Sequence, residues 1–128
     1  MIFESIHHIA IIGRNYNKTK EFYIEKLGFE IISEHHRVDK NDIIINVEKE
    51  NVVLEIFIKE DAPLRPPIPN PENTGLRHLA FKVKDVEKTL EEFDSLKIVH
   101  QGLRYDDFDG KKMAFFFDPD GLPLEIHE

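Results

Sequence analysis

A chain of 128 residues is long enough for one domain with a hydrophobic core of its own. Charged residues make up 33% of it and apolar residues 41%, with a net charge of −8; this suits a soluble globular protein and argues against nucleic acid or an anionic membrane as partner. There is no cysteine, which excludes disulfides, thiolate metal sites and cysteine nucleophiles, so any metal must be held by imidazole and carboxylate.

No apolar run approaches the ~20 residues of a spanning helix. Met1 to Ser5 has no basic segment leading an apolar one, so no secretory signal is expected and the expected location is cytoplasmic. Ser5–Ile12 reads as a buried strand, with Ile6, His8, Ala10 and Ile12 on one face. Gly13 and Asn15 break it. Tyr16–Leu27 has helical spacing, with Thr19, Phe22, Tyr23 and Leu27 along one stripe, and Gly28 stands where a C-terminal cap belongs. Phe29–His36, Asp42–Glu48 and Val52–Ile58 read as three strands, the last the most apolar. Five prolines between Glu60 and Gly75 make that stretch a stiff connector.

The same order then returns. Leu76–Val83 reads as a strand, and Val86–Leu96 as a helix with Asp85 at its start, where a carboxylate favours the N-terminus. Ile98–Arg104 reads as a strand interrupted at Gly102, Tyr105–Gly110 as an acidic turn, and Lys111–Phe117 as a strand. Asp118-Pro119-Asp120-Gly121 is a tight turn, because proline fixes φ and glycine tolerates φ > 0. Leu122–His127 closes the chain. The predicted class is α+β: two tandem βαβββ modules (1–60 and 75–128, joined by a linker over 61–74) forming a curved mixed sheet around a metal site, together one domain of 128 residues.

The repetition extends to chemistry. The opening strands read Ile6-x-His8-x-Ala10 and Leu76-x-His78-x-Ala80; the closing strands both read Leu-Glu-Ile, at 54–56 and 124–126. His8 and Glu55 are 47 positions apart, as are His78 and Glu125, and the copies are offset by 70. A single histidine in an apolar strand is ordinarily core, and a single glutamate ordinarily faces water. A His and a Glu repeated in register are poor choices for packing, because a buried carboxylate without a partner costs several kcal/mol. Four such side chains brought together would bind Zn²⁺, Ni²⁺, Co²⁺, Fe²⁺ or Mn²⁺ and leave coordination positions open for substrate. Lys59, Arg65, Arg77, Arg104 and Lys111 are cations able to meet an anionic substrate group, although each also suits a solvated surface.

The chain resembles the glyoxalase/bleomycin-resistance/extradiol-dioxygenase superfamily, the vicinal oxygen chelate fold. The resemblance spans the chain and is most specific at His-His-Ile-Ala-Ile (7–11), Glu-Phe-Tyr-x-x-x-Leu-Gly-Phe (21–29), Gly-Leu-Arg-His-Leu-Ala-Phe (75–81) and Asp-Pro-Asp-Gly-x-Pro-Leu-Glu (118–125). It implies His8, Glu55, His78 and Glu125 as ligands of one divalent transition metal per site: Ni, Co or Zn first, then Fe or Mn. The His/Glu/His/Glu pattern is that of glyoxalase I, which implies a carbon–sulfur lyase acting on the hemithioacetal of methylglyoxal and a thiol. Glu125 is then the catalytic base and Glu55 its pseudosymmetric partner. Ile12 and Lys59 stand where glutathione-using members have Arg and Asn, so the resemblance leaves the thiol open. It also implies a small-molecule substrate and a homodimer. The alternatives are an acyl-CoA epimerase, a small dioxygenase, or a metal-free binding or resistance protein. His7 and His127, beside ligand positions, are expected to support the site or an interface.

Overall fold

The computed structural model describes residues 1–128, which divide into two compact units, Met1–Pro63 and Leu64–Glu128. In the first, β1 (Ile9–Gly13) is followed by α1 (Tyr16–Lys20), β2 (Glu30–Arg37), β3 (Asp42–Lys49) and β4 (Val52–Ile58). The sheet order is β1-β4-β3-β2, with β1 and β4 parallel and the other neighbours antiparallel. In the second, β5 (Leu79–Lys82), α2 (Val86–Ser95), β6 (Arg104–Tyr105), β7 (Lys112–Phe117) and β8 (Pro123–His127) form a sheet of order β5-β8-β7-β6. The predicted βαβββ order and α+β class are therefore present in both units.

Alternation along the strands sets each core. Leu54, Ile56 and Ile58 of β4 are buried together with Ile45 and Val47 of β3 and with Phe22, Tyr23 and Phe29. In the second unit Val86, Leu90 and Phe93 of α2 are buried with Met113, Ala114 and Phe116 of β7 and Leu124 and Ile126 of β8. Burying one such apolar side chain contributes about 1.5–3 kcal/mol. The Phe93 and Phe116 rings meet at 4.7 Å between centroids.

Local signals work as read. Asn15 caps α1 by accepting from the Lys18 N–H at 2.9 Å, and Asp85 caps α2 by accepting from Lys88 at 3.0 Å. Gly28 has φ +80°, the left-handed cap that its position requires. The Asp118 carboxylate accepts from the N–H groups of Asp120 and Leu122, both at 2.9 Å, and so closes the tight turn before β8.

Several boundaries differ from those expected, the largest of them as follows. The opening strands begin at Ile9 and Leu79, where pairing with Leu54 and Leu124 begins, so His8 and His78 each lie one residue ahead of a ladder. The Tyr16–Leu27 helix is α-helical only to Lys20 and then continues as a π-helix over Glu21–Lys26, with Leu27 N–H donating to Phe22 at 2.9 Å. The wider turn accompanies burial of the adjacent Phe22 and Tyr23. Ile98–Arg104 does not form a strand. Gln101 N–H donates to Phe115 and Phe117 N–H donates to Val99, but Gly102 at φ +81° ends the extension. The short β6 instead takes in Tyr105, the first residue of the acidic stretch.

Candidate metal centre

Each unit brings one predicted His–Glu pair together. Glu55 lies in β4 opposite Ala10 of β1, and His8 is two residues before Ala10. Glu125 lies in β8 opposite Ala80 of β5, and His78 is two residues before Ala80. Parallel pairing in one register, with side chains alternating along each strand, delivers both imidazoles to their carboxylates in the same way. His8 Nε2 stands 3.9 Å from Glu55 Oε1, and His78 Nε2 stands 3.8 Å from Glu125 Oε1.

Those distances discriminate between two explanations. They exceed hydrogen-bond range, so neither pair is a histidine satisfied by a carboxylate. Two atoms each about 2.1 Å from one ion stand at most about 4.2 Å apart, so each pair by itself lies within the span of an ion's ligand sphere. Burial separates the copies: the Glu125 side chain is 10% exposed and the Glu55 side chain 28%. A carboxylate as enclosed as Glu125, beyond bonding distance of its histidine, is the kind of group that a cation compensates. The residues present thus fit a divalent metal bound through nitrogen and oxygen.

Neighbouring side chains orient the imidazoles. The Nδ1 atoms of His7 and His8 are 2.8 Å apart, one donating to the other, which leaves His8 Nε2 facing Glu55. His78 meets the edge of Phe115 at 5.1 Å between ring centroids, and Phe115 is the β7 partner of Glu125. His7 thus touches His8 directly.

His127 has a different role. Its Nδ1 lies 2.8 Å from the Glu128 carbonyl and must donate to it, and its Nε2 lies 3.3 Å from both Asp106 and Asp109. The Glu128 carbonyl, and after it Asp106, hold this imidazole above its ordinary pKa. The ligand atoms of the three residues lie within 4.8 Å of one another. The acidic turn and the histidine are about twenty residues apart in sequence, and the pairing of β7 with β8 and the return of the turn join them. His36 pairs with Glu34 at 3.2 Å, and His100 donates to Asp94 at 2.6 Å while its Nδ1 accepts from Gly102.

The candidate cations divide into two groups. Lys59 is committed to Asp42 at 2.8 Å, beside a two-pronged Arg37 contact at 2.7 and 2.6 Å, and Lys111 is exposed. Arg37 first and Lys59 second hold the Asp42 carboxyl well below the usual carboxylate range. Arg65, Arg77 and Arg104 instead line a cleft in the second unit that also contains His78.

Two βαβββ units, each carrying a His–Glu pair at one register, define a duplicated α+β protein. This chain belongs to the Glyoxalase/Bleomycin resistance protein/Dioxygenase superfamily, whose profile matches residues 5–126. It is similar to the "Uncharacterized protein YwkD" of Bacillus subtilis (strain 168), at 43% identity over 129 residues, covering 100% of this chain and 99% of that one. It is similar to the crystal structure of a glyoxalase family protein from Enterococcus faecalis, at 54% identity, full coverage of both chains and a TM-score of 0.92. A trypanothione-dependent glyoxalase I of Leishmania major shares the fold at 20% identity, covering 98% of this chain and 87% of that one, with a TM-score of 0.74. No helix is long and apolar enough to cross a membrane.

Proposed function

We propose that the protein is a metal-dependent lyase of the glyoxalase I type, converting a methylglyoxal–thiol hemithioacetal to a 2-hydroxyacyl thioester. The observation that carries this reading is the equivalence of the two pairs: one register, and Nε2–Oε1 distances of 3.9 and 3.8 Å. His8, Glu55, His78 and Glu125 would be the ligands of a divalent ion. When bound, the ion supplies Lewis acidity toward the oxygens of the substrate. Glu125 removes the proton from the carbon bearing sulfur and returns it to the adjacent carbon, so the reaction is an isomerisation that needs no oxidant. Its burial excludes the water that would otherwise quench that transfer. Glu55, more exposed, serves as ligand and as the matching carboxylate. A homodimer and a cytoplasmic location belong to the same reading.

The test is a panel of methylglyoxal with several thiols, read by mass spectrometry for the thioester. Protein loaded with Ni²⁺, Co²⁺ or Zn²⁺ should form product with at least one thiol, and Glu125→Gln should lose at least about a hundredfold in rate, as expected for loss of a general base. Oxygen consumption without thioester would replace this reading by the dioxygenase one.

A further inference from the structure

The second unit contains a cleft of about 800 Å³, within the size range of small-molecule sites. Its walls carry Arg65, Arg77 and Arg104 against a single carboxylate, Glu72. That is a local excess of positive charge in a chain of net charge −8. Arg77 is engaged by Glu72, at 2.6 Å. Arg104 has a ring as its neighbour instead: its guanidinium carbon lies 5.5 Å from the centroid of Phe115. Phe115 in turn stands edge-on to His78. Arg104 is exposed, and a guanidinium over an aromatic face keeps its in-plane N–H donors available to a ligand. The remaining wall includes the proline-rich run 66–69, which is apolar and stiff.

A guanidinium fork matches the two oxygens of a carboxylate or phosphate, and an apolar wall suits a hydrocarbon segment. We propose that this cleft binds an organic oxyanion, with the anionic group on Arg104, Arg65 as the second cation, and the apolar part of the ligand along residues 66–69. Calling that ligand the substrate rests on the reading of His78 as a metal ligand; the anion site itself does not.

The test uses full-length protein treated with chelator and three probes that share a phenyl ring: phenylacetate, phenyl phosphate and the neutral phenylacetamide, the last nearly isosteric with the first. Binding is followed by amide chemical shifts. The anions should bind at least about tenfold more tightly than the amide, shifting signals of residues 101–104 and 115–117. Whichever anion binds more tightly identifies the oxyanion as carboxylate or phosphate. Arg104→Gln should weaken anion binding about tenfold while leaving the amide unchanged, and Arg104→Lys should recover only part, because an ammonium lacks the planar fork. Arg104 is exposed on a two-residue strand, and Arg65→Gln, outside any strand, provides a second variant should Arg104→Gln fail to fold. Equal affinity for amide and anions, unchanged binding in Arg104→Gln, shifts confined to other regions, or no binding at all would each overturn the proposal. Anion binding without any metal uptake by the wild-type protein would overturn the metal reading instead and leave the anion site standing.

Discussion

Glu125→Gln should stabilise the protein in chelator and destabilise it, relative to wild type, in the presence of metal. The Glu125 side chain is 10% exposed, and His78 Nε2 at 3.8 Å is too far to hydrogen-bond its carboxylate. An inadequately paired buried polar group costs about 1–3 kcal/mol, more when charged, and the residual exposure trims that cost. Replacing carboxylate by amide should therefore raise stability by about 1–2 kcal/mol without metal, or roughly 3–10 °C in Tm for a chain of this size. Metal at a hundredfold excess over its Kd should raise the wild type by about 2.7 kcal/mol and the variant by far less, so the order of the two proteins inverts. Thermal and urea unfolding, each with chelator and with Ni²⁺, measure this. A variant less stable than wild type in chelator would show that the carboxylate is a structural partner. A variant that gains as much from Ni²⁺ as wild type does would show that Glu125 is not a ligand.

Three further outcomes test the surrounding fold. Asp42 has a fully buried side chain and a carboxyl held below its usual pKa by Arg37 and then Lys59. A depressed folded pKa gives stability that is complete above the unfolded value of about 3.9 and is lost as pH falls toward the folded one. Urea midpoints should therefore drop below about pH 4 in wild type, and Asp42→Asn should be less stable at neutral pH with a flatter acid limb. Phe116→Ala empties a site 1% exposed against Phe93 and should cost about 3–5 kcal/mol in urea unfolding. Asp85→Ala removes the cap of α2 and should cost about 1 kcal/mol in urea unfolding.

The sequence carried the element order and the pairing of His8 with Glu55 and His78 with Glu125, because internal repetition is a long-range signal written twice. Alternation found β4 with its observed bounds, since one face of that strand is buried and the other is not. What it missed depends on partners far along the chain. Apolar character alone extended the opening strands back to Ser5 and Leu76, whereas a ladder starts only where the neighbouring strand supplies bonds. The π-helix over Glu21–Lys26 has no period distinct enough from 3.6 to be read in six residues. Ile98–Arg104 fails as a strand because Gly102 turns the chain at φ +81°, and only Arg104 of that stretch joins a ladder, in β6. In the site, the Arg104–Phe115–His78 contacts and the Asp106–Asp109–His127 cluster join residues from different strands and turns, and no local spacing announces them.

The proposed function stands or falls with metal binding by the His–Glu pairs. Elemental analysis of protein purified without a poly-histidine tag, for wild type, His8→Ala and His78→Ala, tests it most directly. About one transition-metal ion per chain is expected, the stoichiometry of one four-ligand site, with loss in both variants. Wild-type protein that takes up no Ni²⁺, Co²⁺ or Zn²⁺, or that binds two ions per chain and loses only one in each variant, would contradict it.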